Sequence, residues 1–166
     1  MVRPAVAADL DALVRIHERS SRLAYAHIFP PDSPFPTWEA MAARWTPALV
    51  DDGAAVVAFV AESDGVAIGG VIADVESRRG FGNLRHLYVD PAAWGGGAGR
   101  LLHDAAVRWC AAAGLTSMEL WVLERNERAR AMYERWGWEQ VAGEVLHHEG
   151  VPVSEVAYRL GRLPHP

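Results

Sequence analysis

The sequence contains no lysine. All 16 basic residues are arginine, and 21 acidic residues give a formal net charge of −5. The absence of lysine excludes Schiff-base catalysis and the phosphate-binding P-loop, because both need a lysine ammonium group. The negative net charge and the lack of a basic run argue against nucleic acid as a partner.

Cysteine and long apolar runs are scarce as well. The single Cys110 excludes an internal disulfide and zinc sites built on paired cysteines, and no metal site is expected. Its apolar helical surroundings favour a buried structural thiol. No uncharged apolar window reaches the length of a membrane span, and the N-terminus does not resemble a signal peptide. We therefore expect a cytoplasmic protein.

The length and composition suit one globular domain over residues 1–166. Of the 166 residues, 51% are hydrophobic, which is enough for a substantial core. Hydrophobic periodicity predicts the order β-α-α-β-β-β-α-β-α-β-β. This order indicates an α/β fold with a central mixed sheet and helices on both of its faces.

The turn and cap signals set the bounds of these elements. Asp9 is expected to cap a helix that runs to about Ser20, and Thr37 a helix that ends near Pro47. Asn126 is expected to cap a helix that Gly137 stops, and another helix runs from the glycine-rich stretch to about Ala113. The predicted strands are Val2–Val6, Ala54–Glu62, Val66–Glu76, Leu84–Val89, Met118–Leu123, Glu139–Val145 and Ser154–Leu160.

The stretch after the fourth strand is the most informative part of the chain. Residues 94–100 read Trp-Gly-Gly-Gly-Ala-Gly-Arg and open a predicted helix. Glycine loses more backbone freedom on folding than any other residue, so four glycines in five positions indicate that something must approach the bare backbone. Helix N-termini present unpaired N–H groups and a partial positive charge, which favours an anion such as a phosphate. An ordinary glycine-rich loop is the alternative.

Two common phosphate-binding loops do not fit this stretch. The dinucleotide fingerprint needs Gly or Ala five residues after its first Gly, but Gly95 leads to Arg100 and Gly97 leads to Leu102. The stretch also follows three earlier strands, whereas the fingerprint lies in a first βα turn. The P-loop requires the missing lysine.

The segment does resemble the acetyl-CoA motif of the GNAT superfamily of N-acetyltransferases. The family pattern Q/R-x-x-G-x-G/A falls on residues 94–99, with Trp94 in place of the usual first residue. Residues 120–138 resemble the second hallmark of the family: a strand, then Asn126, Ala129, Tyr133 and a Gly-aromatic pair. The opening Val2-Arg3-Pro4-Ala5 and Ala8-Asp9-Leu10 is also similar, so the resemblance covers nearly the whole chain.

The resemblance implies how acetyl-CoA would bind. The backbone of Leu87, Tyr88 and Val89 would pair with the pantetheine arm, and a backbone N–H near Val89 would stabilise the oxyanion. Asn126 would contact the cofactor arm, and Tyr133 would be the general acid that protonates the leaving thiolate. The pyrophosphate would bind to the loop residues Gly95, Gly96, Gly97, Ala98, Gly99 and Arg100.

The general base and the acceptor pocket are less defined. Family members often carry a Glu on the fourth strand, but the equivalent place here holds Asn83, which cannot act as a base. The alternatives are His86 on that strand and Glu62, Asp74 and Glu76 on neighbouring strands. Alternation along the strand predicts that His86 points opposite to Leu87. The acceptor pocket is expected to include Tyr25, His27 and His86.

The resemblance implies direct transfer of an acetyl group from acetyl-CoA to a primary amine of a small molecule or peptide. Two alternatives remain open at this point: a non-catalytic acyl-CoA sensor, and an acyltransferase that uses a longer acyl chain. The seven tryptophans are compatible with a homodimer, although no residue pattern specifies one.

Overall fold

The chain forms a seven-stranded mixed sheet with helices on both faces. The computed structural model describes residues 1–50, 55–76, 80–147 and 153–164. The strands are β1 Val2–Pro4, β2 Val56–Ser63, β3 Val66–Glu76, β4 Phe81–Val89, β5 Ser117–Leu123, β6 Glu139–His147 and β7 Ser154–Gly161. The helices are α1 Leu10–Tyr25, α2 Trp38–Val50, α3 Ala98–Ala112 and α4 Glu127–Arg135, with 3-10 turns at Ala7–Asp9 and Pro91–Ala93.

The spatial order of the strands is β1-β2-β3-β4-β5-β7-β6. Every neighbouring pair is antiparallel except β4 and β5, which run parallel because α3 connects them. The predicted α/β class, the element order and the mixed sheet are confirmed. The predicted β1 is two residues too long, and β4 begins three residues earlier than predicted.

Two adjacent glycines allow helices to pack closely on opposite faces of β3. A methyl group on Gly69 would lie 3.0 Å from Leu102 of α3, while one on Gly70 would collide with Leu13 of α1 and lie 3.0 Å from Trp45 of α2. Side chains alternate between the faces of a strand, so α3 covers one face while α1 and α2 cover the other. The core is accordingly divided into two apolar clusters, one on each side of the sheet.

The first helix is longer than predicted. Its apolar face packs Leu13 and Val14 against the sheet, and it continues five residues past Ser20 to Tyr25. Asp9 is the N-cap residue of α1, as predicted, but its side chain makes no hydrogen bond to an amide of this helix. Its carboxylate instead binds the guanidinium of Arg3 at 2.8 Å and accepts the amide of Val6. The Asp9 carboxylate thus binds a charged partner on β1 in place of the free amides at the start of α1.

The second helix continues through a proline. Pro47 was expected to end it, but α2 runs to Val50. A proline inside a helix costs one backbone hydrogen bond. Packing outweighs this loss, because Trp45 and Ala48 are both buried in the cluster between α2 and the sheet.

The third helix carries the lone cysteine into the core. Cys110 is fully buried, as predicted, and a methyl group on Gly82 of β4 would lie 2.5 Å from its sulfur. Burial raises the pKa of this thiol to about 12, so it stays protonated and unreactive at neutral pH. Across residues 1–50, 55–76, 80–147 and 153–164, no helix is long and apolar enough to cross a bilayer.

Candidate active site

The sheet opens between its two parallel strands. Within β4 and β5, which are described throughout, only Gly82 pairs with Met118 and Asn83 with Glu119. Beyond these pairs the strands diverge, so β4 lacks a β-partner on its β5 side from Leu84 to Val89. An unpaired strand edge exposes backbone donors and acceptors to an extended ligand that contains amides.

The direction of the amides along β4 shows which groups face this gap. The amide of Asp90 donates to the carbonyl of Ile68 at 2.8 Å, on the β3 side. Because successive residues of a strand direct their backbone groups to opposite edges, Val89 and Leu87 face the gap. Tyr88 directs its backbone groups toward β3, where it is in register with Gly70. The backbone of Tyr88 therefore does not face the gap.

The glycine loop leaves a row of free amides at the end of the gap. Gly95 and Gly97 have φ angles of 84° and 85°, a left-handed conformation that non-glycine residues rarely adopt. The amide of Gly96 donates to Ala93 at 3.3 Å and that of Arg100 donates to Gly97 at 3.0 Å. Among the described groups, no acceptor binds the amides of Gly95, Gly97, Ala98 and Gly99.

Arg100 and Arg128 both lie beside this loop, but they differ in their partners. Arg100 directs its guanidinium along α3 to Asp104 at 2.9 Å. Arg128, on the first turn of α4, lies 3.8 Å above the ring of Trp94 and forms no ion pair with any described residue. The Trp94 indole in turn donates to the Val89 carbonyl at 2.8 Å. The Arg128 charge is thereby held between the gap and the loop.

A cavity of about 740 Å³ lies at the other end of the gap, on the face covered by α1 and α2. Several aromatic and polar side chains meet there from helices and strands that are distant in sequence. These lining residues include His17, Tyr25, His86, Tyr88, Asn126 and Tyr133.

Tyr133 reaches this cavity from α4. Its ring packs edge-on against Trp136 and Trp138, with ring centroids 5.9 Å apart in each pair. Burial raises the pKa of its phenol above the ordinary value, and the nearby Tyr88 raises it further. No described group hydrogen-bonds its hydroxyl, so the proton is available to a ligand.

A buried histidine ties α3 to the wall behind Tyr133. The indole of Trp138 donates to Nε2 of His103 at 2.9 Å, so the proton of this imidazole is on Nδ1. Nδ1 lies 2.8 Å from a carboxylate oxygen of Asp104, which also binds Arg100. Both imidazole nitrogens are therefore occupied, and His103 has a structural role that holds the loop helix against the end of α4.

Two histidines and a tyrosine form a stack on the α1 and α2 side. The rings of His17 and Tyr88 lie 4.0 Å apart and nearly parallel, and Nδ1 of His17 accepts the indole N–H of Trp45 at 3.3 Å. Burial lowers the pKa of His17 to about 3 and that of His86 to about 4. Both rings are neutral at pH 7. The nitrogens of His86 have no hydrogen-bond partner among the described residues.

The sequence that builds this strand gap and loop matches a known family. The model of the Acetyltransferase (GNAT) family matches residues 12–138, which is more than half of the chain. The chain belongs to the GNAT acetyltransferase family. The resemblance drawn from residues 94–99 and 120–138 is thereby confirmed.

Curated relatives of this GNAT chain include two mycothiol acetyltransferases. The one from Streptomyces avermitilis is 39% identical over 80 residues, which are 48% of this chain and 26% of that protein. The one from Beutenbergia cavernae is 46% identical over 71 residues, 43% of this chain and 23% of that protein. The chain thus spans about a quarter of these relatives. An uncharacterized N-acetyltransferase of Archaeoglobus fulgidus is 29% identical over 137 residues, 80% of this chain and 88% of that one.

Solved GNAT structures share the fold. An N-acetyltransferase from Thermoplasma acidophilum in complex with coenzyme A superposes with a TM-score of 0.73 at 18% identity, covering 97% of this chain and 98% of that one. An acetyltransferase from Salmonella typhimurium with acetyl-CoA gives 0.74 at 17% identity, covering 100% and 95%. At these identities the likeness establishes the fold alone.

The residues of this chain fit a coenzyme A molecule. Four free amides at the start of α3 suit a pyrophosphate, because each can donate one hydrogen bond to an anionic oxygen. The gap side of Leu87 and Val89 suits the amides of a pantetheine arm. The Asn126 side-chain oxygen is not free for this purpose, since it accepts the Ala129 amide at 3.2 Å as the helix cap, but its NH₂ group remains a donor.

Of the three residues expected in the acceptor pocket, two line the cavity and one does not. Tyr25 and His86 line the cavity, and burial raises the pKa of the Tyr25 phenol well above its usual value. His27 does not line it: this residue is exposed, and its backbone carbonyl accepts a hydrogen bond from Arg125 at 3.0 Å. His27 lies just past the end of α1, which extends further than predicted and turns the residue toward solvent.

The carboxylates considered as general bases are engaged elsewhere. Glu62 binds Arg3 at 2.6 Å at the far side of β2, and Asp74 is held by Arg85 and by the Asn83 amide. The side chain of Glu76 lies outside what the structure describes. His86 is the candidate on these strands whose acceptor atoms are unengaged and face the cavity.

The sequence analysis missed several residues in and around the site, including Arg128 beside the loop. His17 comes from α1 and Arg44 from α2, and the packing of these helices brings both to the cavity. Glu119 is buried in β5, accepts Arg159 at 2.9 Å and lines a shallow neighbouring groove of about 620 Å³. The sequence signal for Glu119 is a charged residue inside the apolar run Met118–Leu123.

The described residues contain no cluster of three metal-ligating side chains.

Proposed function

We propose that this GNAT chain transfers an acetyl group from acetyl-CoA to a primary amine of a small molecule or peptide. One observation carries the proposal: the gap between β4 and β5 joins a row of free amides at one end to a cavity with Tyr133 and His86 at the other. A long ligand with anionic groups at one end and a reactive carbonyl at the other fits this path.

The chain would hold acetyl-CoA mainly through its backbone. Leu87 would pair with a pantetheine amide, while Gly95, Gly97, Ala98 and Gly99 would donate to the pyrophosphate. Arg128 would add the guanidinium that Trp94, in the position of the family's Gln or Arg, cannot supply. Because Arg100 is already paired with Asp104, its side chain would contribute less than Arg128.

Acetyl-CoA would supply an activated acetyl group as a thioester. The N–H of Val89 would then donate to the carbonyl oxygen of that group, where negative charge develops during attack. On the same side of the strand, the Trp94 indole holds the Val89 carbonyl. This hydrogen bond fixes the peptide unit that follows Val89. A preorganised donor of this kind is worth about 10²–10³ in rate.

Tyr133 would donate a proton to the departing thiolate. Burial keeps its phenol protonated across the physiological range, so the acid form is present when the thiolate leaves. The aromatic wall of Trp136 and Trp138 fixes the ring and excludes water from behind it. A positioned acid typically contributes about 10²–10⁴ in rate.

His86 would accept the proton of the attacking amine. Its imidazole is neutral at pH 7 and open to the cavity. The low pKa makes it a weak base, but the amine nitrogen becomes strongly acidic as its lone pair forms the new bond. A neutral imidazole within hydrogen-bond reach is therefore sufficient.

The test is an assay of thiol release from acetyl-CoA with a panel of primary amines, with mass spectrometry of the products. The proposal expects amine-dependent release and an added acetyl group on at least one amine. Tight binding of acetyl-CoA without release would favour a sensor domain instead. Faster transfer from a longer acyl-CoA would identify a different acyl donor.

A further inference from the structure

Three arginines line the cavity, and their charges are not equally neutralised. Arg22 pairs with Glu18 at 2.9 Å, and Arg85 pairs with Asp74. Arg44 forms no ion pair or hydrogen bond with any described residue, although it lines the same cavity. Its positive charge is therefore available to a ligand.

The packing of α2 directs Arg44 toward the reacting end of the cavity. Its neighbour Trp45 is fully buried and donates its indole N–H to His17, which fixes the rotation of the helix. The charge of Arg44 acts on both His17 and His86 and helps to keep the two imidazoles neutral. Arg44 is thus close to the proposed base without being its hydrogen-bond partner.

Arg44 lies on the opposite face of the sheet from the loop that would bind the phosphates of acetyl-CoA. Arg44 belongs to α2, which packs against β2 on the face opposite α3. The free amides of the glycine loop open α3 on the other face. Two separate positive regions therefore flank the gap, and only one of them is needed for the pyrophosphate.

A second polar group on the same wall lacks a partner. Ser21 is 4% exposed, lines the cavity, and its hydroxyl has no hydrogen-bond partner among the described groups. It lies near the Tyr88 phenol, without a hydrogen bond of normal geometry between them. Buried hydroxyl groups without a partner are uncommon in proteins, and an oxygen-rich ligand group would satisfy this one.

We propose that the acceptor amine carries an anionic group, a carboxylate or a phosphate, which binds Arg44 while the amine faces His86. The proposal rests on the proposed acetyl transfer and narrows its acceptor class. A guanidinium recognises either oxyanion through paired N–H donors, so both chemistries fit. Holding the acidic group at α2 orients the amine nitrogen toward the gap, where the acetyl carbonyl would lie.

The experiment compares matched amines that differ only in the acidic group. An α-amino acid is assayed beside its amide and its decarboxylated amine, and phosphoethanolamine beside ethanolamine. Wild-type protein is expected to show a KM about 10- to 100-fold lower for the acidic member of the preferred pair. Arg44→Gln is expected to remove most of this preference and to leave the Kd for coenzyme A unchanged. Arg15→Gln, an exposed arginine of α1 outside the cavity, is the matched control and should keep the preference.

Each outcome separates the two proposals. If no amine is acetylated although acetyl-CoA binds, the proposed function fails and this inference fails with it. If amines are acetylated but the acidic and neutral members of each pair have equal KM values, only the anionic acceptor is overturned. The same holds if Arg44→Gln raises the KM of both members equally. A preference for phosphoethanolamine over the amino acids identifies the phosphate, and the reverse identifies the carboxylate.

Discussion

The guanidinium of Arg128 lies 3.8 Å above the indole of Trp94, and that indole donates to the backbone carbonyl of Val89. One aromatic ring thus connects the end of β4 to the first turn of α4. The family pattern places Gln or Arg at the position of Trp94. In this chain α4 brings the guanidinium of Arg128 beside the loop, and stacking on Trp94 holds it there.

The first prediction concerns this stacked pair. Arg128→Ala should raise the Kd for coenzyme A about tenfold, because a charged hydrogen bond to a phosphate is lost. Trp94→Ala should have a smaller effect, since the arginine then loses only its support, worth about 0.5–1 kcal/mol. Calorimetry with coenzyme A and with its 3′-dephospho form shows which phosphate is bound.

A double-mutant cycle separates stacking from direct binding. The two changes together should cost less than the sum of the single changes. Arg135→Gln, an exposed arginine at the other end of α4, is the control and should bind normally. Strict additivity of Trp94→Ala and Arg128→Ala would show that the ring does not position the guanidinium.

The second prediction concerns the acid. Tyr133→Phe keeps the ring against Trp136 and Trp138 but removes the proton, so kcat should fall by about 10²–10⁴. The Kd for coenzyme A and the unfolding temperature should be nearly unchanged, because the phenol hydroxyl bonds to no described residue. Near-normal turnover of the preferred amine by purified Tyr133→Phe would rule out the proton donor.

The third prediction concerns the base. His86→Gln should lower kcat by about 10²-fold, because the attacking amine loses its proton acceptor. His27→Gln offers a matched control on a histidine that is exposed and outside the cavity, and it should retain full activity. Steady-state kinetics of the two variants with one amine is sufficient. Equal activities would remove His86 from the reaction.

The fourth prediction concerns stability in acid. The folded-state pKa of His17 is about 3, below its ordinary value of 6.5, so the unfolded chain binds more protons between these limits. His17 therefore stabilises the fold at neutral pH, and this contribution is lost as the pH falls from 6.5 toward 3. The slope for one such residue reaches about 1.4 kcal/mol per pH unit.

Denaturant unfolding of wild type and His17→Gln from pH 7 to pH 4 tests this. Glutamine can accept the Trp45 indole N–H but does not titrate, so the variant should show a shallower loss of stability in acid. Parallel curves for the two proteins would mean that His17 does not titrate differently in the folded and unfolded states.

Local patterns are enough to single out the candidate cofactor loop and the proposed acid. The glycines of residues 95–99 and the spacing from Asn126 to Tyr133 indicate them, because these features depend on neighbouring residues in the chain. The free amides of Gly95 and Gly97 could be assigned only from the structure. Gly96 and Arg100 belong to the same predicted loop, but their amides already donate to carbonyls within the chain.

The residues of the proposed acceptor pocket come together through packing between distant elements, which no local sequence pattern shows. His17, Arg44 and His86 come from three elements, and Gly70 lets two of those elements approach the sheet. The predicted end of α1 is five residues too early because packing carries the helix beyond Ser20, and His27 lies outside the cavity. The predicted end of α2 at Pro47 is wrong for the same reason, because buried neighbours compensate for the lost backbone hydrogen bond.

Titration calorimetry with coenzyme A and acetyl-CoA tests the central claim most directly, since it needs no knowledge of the acceptor. The free amides of the loop predict saturable binding to one site. Gly97→Ala should weaken it, because an alanine at φ 85° costs about 1–2 kcal/mol, whereas Gly99→Ala, in ordinary helical geometry, should not. Absence of any heat with either ligand, for protein that is folded by circular dichroism, would contradict the account.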